Sequence, residues 1–452
     1  MYNKIKKIHL IGIGGIGMSG IAELLHRNGY TVSGSDLVKG DTSRALERIG
    51  IKVFEGHLPE NVIDAELVVY SSAITAENPE LKKARENNVP VITRAEMLAE
   101  LMRLKYGIAV AGAHGKTTTT SMVGLVLMKG DLDPTIVVGG RMDNFGGTNA
   151  RLGNGPFMVV EADESDGSFN RLTPSIAVVT NIDREHMDYY QNMRRLKKAF
   201  VDFLNKVPFY GLSVLCGDDP YLKILQHQID KRKKTFGFQP HNQYRVLSYQ
   251  VEGTGSRSIV ELDGHQETLI LQVPGKHNVS NALSAIAIAD ELSVPRKLTL
   301  EALAEYHGVQ RRFHRRGQHK GVSFIDDYAH HPNEIRATLL AAREQFPESK
   351  VHVVFQPHRY SRVNDLIDDF ASVLKSVDTV AITDIYGAGE DQIEGVSSEI
   401  LVEMIQKKGH EKAYLVHKPM TGVETCLSES APGDVILTLG AGDLPSVYKQ
   451  LF

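Results

Sequence analysis

Short apolar runs and helix-spaced patterns alternate along this chain in a repeating order. In the first hundred residues, "KIHLIGI", "TVSGSD", "KVFEG", "ELVVYSSAI" and "VPVITR" predict strands, separated by helical patterns such as "SRALERIG" and "NPELKKARENN". Strands alternating with helices predict a mostly parallel sheet. The helical "AEMLAELMRLKY" leads into a new strand, "GIAVAG", and the cycle restarts, which places a domain boundary near residue 105. A second cycle runs through "TIVVGG", "FMVVEADES", "SIAVVTNID" and "LSVLCGDD". From about 244 to 273 the pattern becomes strict alternation with glycine turns, which predicts antiparallel hairpins appended to the parallel core. "HNVSNALSAIAIADEL" then predicts a helix with Val279, Leu283, Ile286 and Ala287 at helical spacing, and with Asn278 and Asn281 sharing a face near its start. After "GVQRRFHRRGQ" a third cycle supplies "GVSFIDDYAHHP", "KVHVVFQPHRYSR", "TVAITDIYGAGE" and "DVILTLGAGD".

Composition narrows this picture. A length of 452 residues suits about three domains. A net charge of −4, with 51 basic against 55 acidic residues, argues against broad nucleic-acid binding and leaves room for local phosphate pockets. Cys216 and Cys426 are far apart and show no metal-ligand spacing, so they read as free thiols of a reducing, cytoplasmic compartment. Lys4, Lys6 and Lys7 precede an apolar run as in a secretion signal, but glycines interrupt that run and no A-x-A cleavage site follows. No run of about 18 apolar residues predicts a membrane span.

The candidate chemistry lies where strands end. "IHLIGIGGIGMSGIAE" carries Gly12-x-Gly14-x-x-Gly17 between a strand and a helix, a fingerprint for a pyrophosphate against a helix N-terminus. Alone it points to a dehydrogenase, with Asp36 about where a ribose-binding acid belongs. A second loop, "GAHGKTT" at 112–118, points elsewhere: backbone amides for phosphate, Lys116 for the β/γ-phosphates and a Thr117 hydroxyl for Mg²⁺. Val110 stands where the usual P-loop spacing has a glycine, so this is not a standard Walker A loop. Glu161, ending "FMVVE", is placed as a Walker-B-like acid, whereas Asp163, Glu164 and Asp166 read as a solvated acidic loop. "VVTNIDREHMDYY" offers Asp183, His186 and Asp188, and His186 pairs with Thr117 and Glu161 as a third metal-site residue. In the last third, "DDYAHHP" offers Asp326, Asp327, Tyr328, His330 and His331, and "QPHRYSR" offers His358, Arg359 and Arg362. Two arginines at that spacing can grip a carboxylate or phosphate. "QRRFHRR", with Arg311, Arg312, Arg315 and Arg316, reads either as a basic hinge or as arginines closing over transferred phosphate.

Together, "GIGGIGMSGIAE", "GSD", "GAHGKTTT", "VVEADESDGSF", "TNIDREHMDYY", "PGKHNVSNA", "RRF", "DDYAHHP" and "FQPHRYSR" resemble the ATP-dependent Mur ligases of peptidoglycan synthesis over essentially the whole chain. That family uses the shorter phosphate loop, so Val110 is no departure within it. The resemblance implies three domains: a Rossmann-like UDP-sugar domain at 1–105, a P-loop-type central ATPase domain with appended antiparallel strands at 106–313, and a Rossmann-like C-terminal domain at 314–452. It implies that Gly112, Ala113, His114, Gly115, Lys116, Thr117 and Thr118 bind ATP phosphates, and that Thr117, Glu161 and His186 hold Mg²⁺. His277, Asn278 and Asn281 are implied to lie by the adenine, with Arg312 and Asp327 reaching ATP. Gly12, Gly14, Gly15, Gly17, Met18, Ser19, Asp36, Ser71 and Ser72 are implied to hold the UDP moiety. Tyr328, His330, His358, Arg359 and Arg362 are implied to line the muramoyl carboxylate and incoming amino acid. The catalytic set so implied is Lys116, Arg312, Asp327, His330, His358 and Arg359, with Asp327 or His330 as base for the amine.

"GIGGIGMSG" and "PHRYSR" look specific to the alanine-adding branch, so the implied partners are UDP-N-acetylmuramate and L-alanine, with a monomer or homodimer as the working form. With an ATP site downstream, the first loop becomes the holder of a sugar nucleotide, since UDP-sugars carry a pyrophosphate as NAD does. Three rivals stay open at this point: the dehydrogenase, a ligase that adds a preformed peptide to the same sugar nucleotide, and a nucleotide-gated regulator that hydrolyses ATP slowly.

Overall fold

The computed structural model describes residues 5–71, 73–142, 144 and 148–452, so Ser72 lies outside the described residues. Each of the three sequence cycles builds its own sheet. The first has five parallel strands in the order Lys52–Glu55, Thr31–Asp36, Lys7–Ile11, Leu67–Tyr70, Val91–Thr93. Its order reverses at Lys7–Ile11, and the strand carrying the first glycine loop is therefore central. Ile8, Leu10 and Ile11 are buried, as expected of a strand covered on both faces.

The second sheet has ten strands. At its centre Tyr106–Ala111 runs parallel to Phe157–Glu161 on one side and to Ile176–Val179 on the other. Val110 is fully buried in that central strand, so the phosphate loop starts only at Gly112. The strands Tyr244–Glu252, Gly255–Leu262 and His265–Leu271 are consecutive neighbours at one edge. Two-residue connections at 253–254 and 263–264 join only antiparallel strands, and Asp263 and Gly264 both have positive φ, as a type I′ turn requires. These are the hairpins expected from the alternating pattern.

The third sheet runs His314–His319, Val322–Asp327, Val435–Leu439, Val351–Phe355, Thr379–Ile382, Ala413–Leu415. All pairs are parallel except the first, which is antiparallel with a bulge between Arg315 and Gly317. The basic stretch "RRFHRR" is therefore half edge strand and not simply a hinge. The signal lay in "HKGV": Lys320 and Gly321 both take positive φ and turn the chain back as a two-residue hairpin.

By contact the chain divides into two compact units, one comprising the residues up to 246 with 260–267 and 280–303, the other comprising 247–259, 268–279 and 304–452. No helix among the described residues is long and apolar enough to cross a membrane.

Candidate functional site

In the first unit two strand–glycine–helix turns share one local design. The helix Ile16–Arg27 has Gly15 as its N-cap and the helix Lys116–Lys129 has Gly115, and neither cap residue supplies a side-chain hydrogen bond. Elsewhere Asn78 caps the helix Pro79–Glu86, and Thr93 with Glu96 forms a full capping box. The amides of a helix's first turn have no intrahelical partner, so an uncapped glycine start presents them to an anion.

The surroundings of the first turn are made of backbone and one acid. Gly12 and Ile13 donate their N–H groups to the Ser35 carbonyl at 2.8 and 3.0 Å, and Gly14 donates to Asp36 Oδ2 at 2.8 Å. Asp36, expected to face the nucleotide, holds the loop itself, because the parallel register sets its strand end beside the loop. Met18 is buried in the core, so its side chain packs and only its backbone remains for a ligand. Ser19 is also buried and accepts from Asn149 Nδ2 at 3.4 Å. Ser71 ends the neighbouring strand, donating its N–H to the Ile11 carbonyl at 3.2 Å, with its Cβ against Gly12.

The second turn is surrounded by charge. Gly112 and Gly115 have φ of +132° and +82°, and a Cβ on Gly112 would also strike Thr180, so both positions demand glycine. Lys116 Nζ donates to the carbonyls of Gly112 and Ala113 at 2.7 and 3.2 Å and to Glu164 Oε1 at 2.8 Å. Burial opposes the charge on Lys116, but Glu164, Asp163 and Glu161 outweigh it and hold the ammonium above its ordinary value. Thr117 Oγ1 donates to Glu161 Oε1 at 2.9 Å, and Glu161 Oε2 accepts from Gly139 N at 2.6 Å. Asn181 and Thr180, at the end of the next strand, hold His114 through its N–H and carbonyl, and His114 Nε2 meets Asp183 Oδ2 at 2.8 Å. Thr118 is buried in the first turn, and Asn281 lies against Gly115.

Glu164 corrects the sequence reading. Its neighbourhood of acids reads as a solvated loop, yet it is 2% exposed, and its Oε2 has no hydrogen-bond partner among the described residues. Burial and the neighbouring Asp163 push its carboxyl up to about 7, against the pull of Lys116. Asp163 itself is held down to about 2: burial works the other way, but Arg94 and Lys116 prevail. His186, in a left-handed conformation with φ of +57°, brings Nε2 to 3.8 Å from both Glu164 and Glu185, and ligand atoms of these three residues lie within 4.8 Å of one another. Sequence spacing paired His186 with Thr117 and Glu161. The structure sets His186 beside Glu164 and Glu185, whose burial no spacing announces. Two carboxylates and one imidazole, with a buried oxygen left unsatisfied, suit a hard divalent cation such as Mg²⁺.

The second unit gathers the remaining candidates. Asp327 ends its strand buried, accepting from Phe313 N and Ala329 N, both at 2.8 Å. Burial lifts its carboxyl to about 6, against the pull of Arg312. Arg311 and Arg312 lie over the Tyr328 ring at 4.9 and 5.2 Å, and Arg312 Nη1 is 3.7 Å from Glu334. His330 Nδ1 is 2.9 Å from the Tyr328 carbonyl, which fixes the proton there and makes Nε2 the basic nitrogen. The His330 and His358 rings are 5.8 Å apart, and His358 stacks on Tyr386 at 5.6 Å. Burial, then His330, Arg362 and Arg359, pushes His358 down to about 3. Arg362 donates to the His358 carbonyl at 3.2 Å, while Arg359, with φ of +70°, faces Glu390 at 3.8 Å. Tyr386, Glu334 and Glu390 were missed, since each lies alone in an unremarkable loop or helix. His277 is pushed down to about 4 by burial and Arg312, and Asn278 is tied to the Pro274 carbonyl at 2.7 Å.

Comparison with known proteins bears on these sites over nearly the whole chain. Family models match residues 7–106 as the catalytic domain of the Mur ligase family, 110–289 as its middle domain and 311–442 as its glutamate ligase domain. A UDP-N-acetylmuramate–L-alanine ligase of Geobacter sp. (strain M21) is 49% identical over 452 residues, covering 100% of this chain and 98% of the relative. That of Sorangium cellulosum is 50% identical over 451 residues, covering 99% and 96%. The crystal structure of a UDP-N-acetylmuramate–alanine ligase from Thermotoga maritima aligns with a TM-score of 0.84 at 34% identity, covering 98% of each chain. The chain belongs to the Mur ligase family.

Proposed function

We propose that this Mur ligase joins L-alanine to the lactyl carboxylate of UDP-N-acetylmuramate, converting ATP to ADP and phosphate, in peptidoglycan synthesis. The observation that carries the reading is near-50% identity to alanine ligases along the full chain. The first turn offers bare amides to a diphosphate. The second offers amides and Lys116 to a triphosphate, with Thr117, Glu161 and His186 as holders of Mg²⁺. An ion held there would supply positive charge against that of the triphosphate.

The substrate carboxylate, with an ordinary pKa of about 4, is already ionised and nucleophilic. Its obstacle is a like-charged triphosphate, and Lys116 lowers that repulsion while the loop amides align the γ-phosphorus. A carboxylate oxygen bonds to that phosphorus as its bond to the bridging oxygen breaks, releasing ADP. The alanine amine then attacks the acyl carbon, and phosphate leaves with the former carboxylate oxygen. His330 Nε2 takes the amine proton. His358, held neutral by burial, does not compete for it, and both oxygens of Asp327 already accept backbone N–H groups. Arg359 and Arg362 anchor a carboxylate or the acyl phosphate, Tyr328 and Arg312 line the same region, and His277, Asn278 and Asn281 flank the adenine.

ADP release measured with UDP-N-acetylmuramate and each amino acid in turn tests the reading, with the product weighed by mass spectrometry. The expected result is release that depends on both substrates and an amide product with L-alanine. Phosphate release without amide, or amide formation only with a preformed tripeptide, would overturn it.

A further inference from the structure

Arg94 has no part in the reaction above, yet it touches the surroundings of both glycine turns. It opens the helix Arg94–Met102, which follows the last strand of the first sheet and is fixed at its start by the Thr93–Glu96 capping box. Its guanidinium fills the space that a side chain on Gly17 would take, at the open start of the first helix. From there Nη2 reaches Asp163 Oδ2 at 3.1 Å, in the acidic loop of the second sheet. The Asp163 carboxylate is oriented by its own loop, since Oδ1 accepts from Ser165 N at 3.0 Å. The next residue, Glu164, pairs with Lys116, and two residues earlier Glu161 takes the Thr117 hydroxyl. A second ion pair, Arg171 with Glu96, ties the same helix to the turn Ser168–Arg171.

The path Gly17–Arg94–Asp163–Glu164–Lys116 thus joins the two anion sites within one compact unit. A guanidinium has five donors in a rigid fork. With Nη2 on Asp163, Nη1 still faces Gly17, so one side chain serves both loops without releasing either. We propose that the Arg94–Asp163 pair couples the two substrate sites: a diphosphate at the first turn and a nucleotide at the second each order this pair for the other, so binding of either tightens the other. Arg94 and Asp163 are positioning residues in this account. Because an ordering cost met by one ligand need not be met again, the coupling is positive, and it is reciprocal by linkage. The inference rests on the sugar-nucleotide and ATP reading of the two loops.

Calorimetry on the full chain with Mg²⁺, UDP-N-acetylmuramate and a non-hydrolysable ATP analogue tests it. In the unsubstituted protein, saturating sugar nucleotide should tighten the analogue by about 5-fold or more, and the analogue should tighten the sugar nucleotide equally. In Arg94→Ala and Asp163→Asn that factor should fall to about one, with no further loss in the double variant. Arg94→Lys should also lose it, because a single ammonium cannot span both partners. Affinity of Arg94→Ala for the analogue alone should stay within about 2-fold, which shows that the variant is folded. Coupling retained in Arg94→Ala, or losses that add in the double variant, would overturn the inference. So would an unsubstituted protein that binds both ligands independently. No affinity for UDP-N-acetylmuramate at all would overturn the functional reading beneath it.

Discussion

Glu80 and Glu164 are both buried carboxylates in the same compact unit, and they meet opposite fates. Glu80, fully buried under the first sheet, accepts from Ser35 Oγ at 2.5 Å, Asn61 Nδ2 at 2.6 Å and Leu58 N at 3.3 Å, with His9 at 3.6 Å. Burial alone would raise its pKa, but His9, Ser35 and Asn61 together lower it. Glu164 has Lys116 on one oxygen and, among the described residues, no hydrogen-bond partner on the other, and its pKa rises. A buried carboxylate whose lone pairs are met belongs to the architecture, whereas one left half-met faces a place that a ligand completes. The two glycine turns divide the same way. The turn above Glu80 is held by neutral backbone and Asp36, and the one beside Glu164 by a cation among acids.

The largest effect that would break this contrast is at Lys116. Lys116→Ala should cut ADP formation by at least about 10²-fold while calorimetry with UDP-N-acetylmuramate stays unchanged. Equal loss of both would mean that the two turns do not divide the substrates. Next, Glu80→Ala removes the buried partner of Ser35, Asn61 and His9 and should lower stability by about 3 kcal/mol in urea unfolding. Glu164→Gln, by contrast, should leave stability within about 1 kcal/mol but slow turnover about 10-fold. A reversed ranking would refute the reading of satisfied and unsatisfied carboxylates. Asp36→Ala frees the Gly14 amide and should weaken the sugar nucleotide about 10-fold with the ATP analogue unaffected.

A last contrast concerns pH. Asp327 is raised to about 6 in the fold, so the folded state holds its proton more tightly than the unfolded chain does. That contribution is present at low pH and is lost as pH rises from about 4 through 6. Melting temperatures across that window should therefore fall for the native sequence relative to Asp327→Asn, by the equivalent of at most about 3 kcal/mol. A constant difference between the two proteins would show that Asp327 does not titrate there.

Much of this molecule is legible in its sequence because it depends on local order. Apolar runs mark the strands, Gly112 and Gly115 mark a turn whose positive φ favours glycine, and Lys116 and Thr117 follow at fixed spacing. The loops lie at strand ends, so the proposed anion sites follow from the strand–glycine–helix order alone. What the residue order left open is what each loop faces. Asp36 turns onto its own loop, Met18 turns inward, "RRFHRR" becomes half an edge strand, and Arg94 reaches an acid 69 residues away. Glu164 is the clearest case: among four acids in six positions, nothing local distinguishes it from Asp163 or Asp166. Its burial comes from packing, with Tyr190 donating to its carbonyl at 2.6 Å and Lys116 reaching its side chain from another strand end. The sequence by itself determined the elements and the order of the glycine turns, because dihedral preference and periodicity act between near neighbours. Only the tertiary structure decided which charges are desolvated and which are paired, because those depend on groups brought together from distant parts of the chain.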